Sequence, residues 1–289
     1  MVELDYVVVG HATRDLKDDS FEVGGTASYA ARTAATLGCR VGVVTSTGID
    51  LDLANALGEA LIAHLPASET TTFENISING QRRQVIHTTA RTLVPTLIPK
   101  TWRAAIAHIG PVARECDPTL TGAFGDAFVG VTPQGWMREW DETGRVTRRR
   151  WVEAQDVLPG ADAVVLSKED VGGDMGLAAD YAAQTRVLAL TQGPAGCTVF
   201  AGTDVRHVPP PSVVEGDATG AGDIFAAVFF YALERGHGPW AAARFANCVA
   251  ARSVTRPGLS GTPRRDEVTR CRQSILGDEV GRAHRLRTG

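Results

Sequence analysis

An almost wholly apolar run, Ile224-Phe225-Ala226-Ala227-Val228-Phe229-Phe230-Tyr231-Ala232-Leu233, follows directly on Asp217-Ala218-Thr219-Gly220-Ala221-Gly222-Asp223. A helix built from that run has no polar face to offer water, so the fold must enclose it. Its first turn still carries backbone N–H groups without intrahelical partners, and the positive end of its dipole attracts anions. Gly220 and Gly222 let the main chain approach a ligand with no side chain between. Asp223 follows at once, a carboxylate fixed beside the anion-binding turn. These are the parts that transfer of a phosphoryl group requires. The same dipole favours the ionised form of Asp223, which predicts a ready proton acceptor that is not a strong base.

A chain of 289 residues has room for such a core, as one large α/β domain or two small ones. Apolar content of 44%, charge of 21% and a mean hydropathy of -0.05 are those of an ordinary globule. The net charge of -4 argues against a nucleic-acid partner. The basic clusters Arg148-Arg149-Arg150 and Arg282, Arg285 and Arg287 read as solvated surface. Five scattered cysteines, with no C-x-x-C pair, predict reduced thiols rather than a disulfide framework or zinc site. The amino terminus is acidic where a signal peptide is basic, and no apolar run approaches the length of a membrane span. A cytoplasmic protein with no membrane partner is expected.

Along the chain, Tyr6 to Val9 reads as a buried first strand, with Asp15 in a following loop from His11 to Asp18. After Gly24-Gly25, Thr26 is expected to cap a helix that stops at Gly38. Arg40 to Thr45 reads as a second strand, and Leu51 to Leu65 has helical spacing. Thr70 to Ile78 and Gln81 to Thr89 form a hairpin around Asn79-Gly80. Its polar, threonine-rich character predicts one face open to solvent or ligand. A two-stranded hairpin is marginal alone, so the segment around Phe21 to Val23 or a second subunit must complete a small sheet.

From Trp102 onward, apolar runs at 105–109, 127–131, 163–166 and 187–190 alternate with helical or loop segments. Repeated βα units predict a doubly wound, mainly parallel sheet flanked by helices. An antiparallel hairpin is expected over Gly196 to Ala201 and Val205 to Val208, and amphipathic helices over Pro239 to Val254 and Asp266 to Ile275. Residues from Gly277 onward lack apolar anchors and are expected to be loose. No repeat, linker or second core interrupts 1–289, so a single α/β domain is expected. The lid inserted in it spans about 11–23 and 69–94.

The D-x-T-G-A-G-D pattern at 217–223, the Gly24-Gly25 pair before the first helix and the inserted hairpin resemble the ribokinase-like (PfkB) carbohydrate kinase family, over essentially the whole chain. The resemblance implies an ATP-dependent kinase with Asp223 as catalytic base and Gly220, Ala221 and Gly222 as the anion hole. It implies that Asp15, Gly24 and Gly25 meet the sugar, and that Thr191, Gly193, Gly196 and Asn247 serve the nucleotide. The family's N-x-x-E motif, which organises Mg²⁺ and phosphate through water, stands here as Ser167-Lys168-Glu169-Asp170. Ser and Asp keep an oxygen and a carboxylate at that spacing, with shorter arms. Tyr29 replaces an asparagine found in many sugar kinases. With Thr70 to Glu74, Gln134 and Arg138, these departures look most like the myo-inositol kinase branch. Asp217 and Thr219 either hold a monovalent cation such as K⁺, as in some relatives, or make helix-entry hydrogen bonds. The implied substrate is a small polyol or sugar, with myo-inositol the best guess. The lid hairpin leaves both a monomer and a homodimer open.

A nucleoside kinase needs an apolar slot for a base, which the threonine-rich lid, Asp15 and Arg138 do not favour. A non-catalytic regulatory protein would account for the altered Ser167–Asp170 motif but not for an intact Asp223. No G-x-G-x-x-G follows the first strand and no G-x-x-x-x-G-K-[ST] is present, which removes the nicotinamide and P-loop classes.

Overall fold

The computed structural model describes residues 1–18, 20–78, 81–214, 216–275 and 277. In chain order they form β1 (Val2–Val9), β2 (Thr13–Lys17), β3 (Ser20–Gly24), α1 (Thr26–Thr36), β4 (Val41–Thr47), α2 (Leu53–Leu57), β5 (Leu61–Pro66), β6 (Thr72–Ile78) and β7 (Gln81–Thr88). Next come β8 (Trp102–Ile109), β9 (Phe128–Val131), β10 (Arg138–Trp140), β11 (Val146–Arg148), α3 (Ala154–Val157), β12 (Ala163–Ser167), α4 (Met175–Ala182) and β13 (Val187–Thr191). The chain continues through β14 (Cys197–Ala201), β15 (Asp204–Val208), α5 (Ala221–Glu234), α6 (Pro239–Ser253) and α7 (Arg265–Ile275). The expected Asn79-Gly80 turn, the arginines at 282, 285 and 287, and the tail beyond 277 lie outside the described residues.

Nine of the described strands form one sheet in the order β15-β14-β13-β12-β9-β8-β1-β4-β5. It is parallel from β13 to β5, with β14 and β15 antiparallel at the opposite edge. Strand β1 shows why. Tyr6 and Val8 enter a core shared with α1, α5, α6 and α7, while Val7 and Val9 enter another with Trp136, Trp151 and α4. Only a sheet covered on both faces demands such unbroken apolar strands. Helix α5 runs through the first core, buried from Ile224 to Phe230. Gly130 of β9 makes room for it, since a Cβ there would overlap the Phe230 ring.

The local reading fails in three places. Residues 51–65 are not one helix: α2 is capped by Asp52, ends at Gly58, and gives way to β5 beside β4. An edge strand with one open face carries the same sparse apolar spacing as an amphipathic helix. The expected loop at 11–18 contains β2, because pairing with β3 and β6 holds Thr13 to Lys17 extended. The thiols are not all reduced either. Packing of α6 on α7 brings the Cα atoms of Cys248 and Cys271 to 5.8 Å and joins them in a disulfide, leaving Cys39, Cys116 and Cys197 free. The tertiary contact decides that pairing, which the sequence pattern does not show.

A four-stranded sheet, ordered β3-β2-β6-β7, sits apart from the large one. Strands β2 and β3 of the same chain therefore complete the hairpin. The ribbon of β10 and β11 adjoins it through a Val85–Arg145 bridge, and Phe73, Ile86, Val112 and Ala113 pack between. The threonines before β6 are not an open face. Thr70 and Thr71 are fully buried; Thr70 Oγ1 donates to Asp50 and Thr71 Oγ1 is 2.7 Å from His11 Nδ1. They tie the small sheet to the body of the protein, because buried hydroxyls need partners.

Candidate functional site

Strands β1, β8, β9, β12 and β13 end side by side. Where parallel strands finish at their carboxyl ends, the connecting loops diverge and leave a crevice. Here the crevice is a cavity of about 1380 Å³ between the large sheet, the small sheet and the start of α5. Thr132, Ser167 and Thr191 line it from the strand ends, Gly220 to Asp223 from α5, and Asp15 and Phe73 from the small sheet.

Of the residues singled out from sequence, Asp15, Gly25, Tyr29, Gln134, Arg138, Ser167, Asp170, Thr191, Gly193, Gly196, Thr219, Gly220, Ala221, Gly222, Asp223 and Asn247 all border this one space. Gly24 and Asp217 do not. A Cβ on Gly24 would overlap the Asp15 carboxylate, so that glycine makes room for an acid rather than meeting a ligand. Asp217 accepts from the backbone N–H of Thr219 and of Gly258, both at 2.9 Å. Burial opposes its ionisation, but those hydrogen bonds outweigh it and hold the carboxyl below its usual range. One oxygen thus closes the entry to α5 and the other ties it to the turn that follows α6.

Asp223 stands in the first turn of α5, after Gly220 in a left-handed conformation (φ 76°). The ring of Tyr29 packs where a Gly220 Cβ would lie, whereas nothing lies within 4 Å of a Cβ built on Gly222. The backbone at Gly222 thus faces open space. Burial pushes the Asp223 carboxyl up to about 6; the Thr26 hydrogen bond and the charge of Arg138 work against it, and Asp15 and Asp170 add to it. This reverses the expectation from the helix dipole alone. A half-unit charge at a helix end is a weaker influence than removing a carboxylate from water. A base poised near neutrality is better matched to taking a proton than one at the ordinary carboxylate value.

Thr26 does not cap α1. Gly25 occupies that position, without a side-chain cap bond, and Thr26 Oγ1 donates to Asp223 Oδ1 at 2.7 Å. Asp15 lies on β2, its Oδ1 accepting from Thr13 Oγ1 at 3.1 Å. Arg138 donates to the Val112 carbonyl at 3.1 Å and stands over the Phe73 ring. Arg148, expected on a solvated face, lines the cavity opposite Arg138 in the β10–β11 register. Sequence reasoning assigns Thr26 and Arg148 other roles, a helix cap and a solvated face; Thr26 has its partner 197 residues along the chain, and Arg148 reaches the cavity through the pairing of β10 with β11.

Ser167 and Asp170 bond reciprocally: the Ser167 N–H donates to Asp170 Oδ2 at 2.7 Å, and the Asp170 N–H to Ser167 Oγ at 3.1 Å. Burial raises the Asp170 carboxyl despite those bonds and the charge of Arg138. No cluster of three or more His, Cys, Asp or Glu side chains suited to a metal occurs among the described residues. One carboxylate fits Mg²⁺ of the kind that keeps its waters and takes phosphate oxygens, not a protein cage. On the other side of the cavity the Asn247 amide donates to the Val208 carbonyl at 2.8 Å and is buried. That bond ties its amide nitrogen to the end of β15. No described helix is long and apolar enough to cross a membrane.

Residues 153–265 match the family described as pfkB family carbohydrate kinase. Ribokinase of Bacillus subtilis is 43% identical over 82 residues, 28% of each chain. The chain spans less than half the length of the curated relatives it matches. A solved pyrophosphate-dependent kinase of the ribokinase family, complexed with a pyrophosphate analog and myo-inositol, superposes with a TM-score of 0.78 at 20% identity. The superposition covers 91% of this chain and 99% of that one. Ribokinase of Thermotoga maritima gives 0.71 at 21% identity, covering 93% and 99%. The similarity to the PfkB carbohydrate kinase family thus lies in residues 153–265, and the fold of the chain is ribokinase-like.

Proposed function

We propose that this protein transfers a phosphoryl group to a hydroxyl of a small polyol or sugar, with Asp223 as the general base. One observation carries the reading. A carboxylate held near neutral pKa stands in the first turn of α5, beside the open backbone of Gly222 and in the same cavity as Asp15. In a loose phosphoryl transition state the protein mostly positions groups and stabilises spreading charge. The N–H groups at Gly220, Ala221 and Gly222 are placed to receive the oxygens of the group in transfer. Asp223 takes the proton of the attacking hydroxyl, Asp15 orients the acceptor, and Arg138 offsets charge between Asp170 and Asp223. Asp170 would hold Mg²⁺ through water, and that ion would neutralise charge on the donor's phosphates. The small sheet acts as a lid that excludes water from the reaction. Myo-inositol is the first acceptor to try, in keeping with the resemblance of Gln134 and Arg138 to that branch.

ATP is the expected donor, along Thr191, Gly193 and Gly196. Inorganic pyrophosphate is the second reading, and specific observations favour it. The engaged amide of Asn247 leaves less to recognise a base, Arg138 and Arg148 face the cavity, and a pyrophosphate-dependent kinase has the same fold. The test crosses Mg-ATP and Mg-pyrophosphate with inositols, pentoses, hexoses, sugar acids and nucleosides, following phosphorylated product by mass spectrometry. Product with a polyol or sugar is expected. Product only with nucleosides would move the acceptor class, and none with any pair would leave a non-catalytic binding protein.

A further inference from the structure

A threonine at a helix start ordinarily turns its hydroxyl back onto the helix as a cap. Thr26 does not. Its hydroxyl crosses to a residue 197 positions away, donating to Asp223 Oδ1 at 2.7 Å. The side chain is 2% exposed, and its methyl lies where a Cβ on Gly110 would overlap it. Packing against the end of β8 therefore sets the rotamer, and the rotamer aims the hydroxyl.

We infer that Thr26 is the positioning residue for Asp223: it fixes the plane of the carboxylate so that Oδ2 faces the acceptor hydroxyl. The torsion that turns a carboxylate about its last bond is soft and roughly two-fold. A base without a partner would swing through it, and only part of that range aligns a lone pair with an incoming O–H. The Thr26 bond ties one oxygen, and Oδ2 accepts no hydrogen bond within the described residues.

The charged and titratable groups that face Asp223 come from several elements. They are Arg138 of β10, Asp15 of β2, Asp170 after β12, Tyr29 of α1 and Tyr6 of β1. Arg138, Asp15 and Asp170 act on it through charge, which sets affinity for a proton but not orientation, and the two tyrosines stay neutral beside it. Thr26 supplies the side-chain hydrogen bond. The inference rests on the proposed role of Asp223, so its test includes a measurement that needs no turnover.

Thr26→Val keeps the volume and the contact with Gly110 but removes the donor; Thr26→Ser keeps the donor and removes the methyl. With the donor and acceptor found by the screen, Val should lower kcat about ten- to a hundredfold with KM within about twofold. Ser should retain kcat within about threefold. Wild-type kcat in the Val variant overturns the inference, as does a loss in Ser equal to that in Val. The second measurement is a ¹³C titration of aspartate carboxyls in the ligand-free protein, with the Asp223 signal assigned by its loss in Asp223→Asn. Removing a bond to the ionised form should move the Asp223 midpoint to higher pH in Val and leave it in place in Ser. No movement in Val overturns the bond whether or not phosphate is transferred. Movement in Val without transfer by the wild type keeps the bond and refutes the base.

Discussion

Helices α1 and α5 begin in the same way and are used differently. Each follows a glycine with positive φ, Gly25 at 84° and Gly220 at 76°, and neither has a side-chain cap. The two starts touch, through the Tyr29 ring on Gly220 and the Thr26 hydroxyl on Asp223. At α1 the glycine is enclosed, with the His11 carbonyl where a Cβ would fall. At α5, one turn of backbone beginning at the same kind of glycine opens on space at Gly222. A glycine-started helix is thus not a ligand site in itself. What distinguishes one is unfilled volume in front of its N–H groups and a charged group held at its edge.

Four experiments can break or sharpen that contrast. Asp223→Asn should lower turnover by roughly 10²–10⁴-fold while the protein folds. The same variant should be the more stable protein in mild alkali. A carboxyl raised to about 6 in the fold destabilises it whenever pH keeps the group ionised. The wild type regains that stability as pH falls through the folded value towards the unfolded one near 4. Discounted for its partial contact with water, the difference at pH 8 should be about 1–3 kcal/mol and vanish near pH 4 in urea melts. Equal stability of the two proteins at pH 8 would show that the carboxyl is not raised.

Gly222→Ala comes next. Turnover should fall about a hundredfold, yet thermal unfolding should move little, because a methyl there meets no protein and alanine suits a helix. A large loss of stability would mean that Gly222 is as enclosed as Gly25. Gly25→Ala is the converse: about 2 kcal/mol or more of stability should go, from positive φ and overlap with the His11 carbonyl. Retention of the wild-type melting curve would break the contrast from the α1 side. The smallest effect is on pH dependence. Turnover should decline about tenfold per pH unit below roughly 6 as Asp223 takes up a proton, and a profile flat to pH 4.5 would exclude it as the base.

How much was legible varies by residue. The apolar run at 224–233, the alternation of β-rich and helical segments and the hairpin around residues 72–88 led to the large sheet, its flanking helices and a second small sheet. Asp223 and Gly222 were legible as a pair because the motif places them on consecutive residues. Thr26 was misread as a cap, since a local rule sees only local acceptors. Thr70 and Thr71 were misread as an open face, because polarity marks exposure only when no buried partner exists, and Asp50 and His11 are such partners. Residues 51–65 carried a pattern that fits two structures, and only the free edge of β4 selected the strand.

By itself, then, the sequence determined that one helix must be buried and that its start must present N–H groups and a carboxylate. Period, glycine placement and burial of apolar surface act over a few residues and do not depend on the rest of the chain. The tertiary structure decided the proton affinity of Asp223, the partner of Thr26, the closing of Asp217 and the disulfide of α6 and α7. Each of these depends on dielectric surroundings or on atoms dozens to hundreds of residues away. Only the packed sheet and helices bring those within a hydrogen bond's reach.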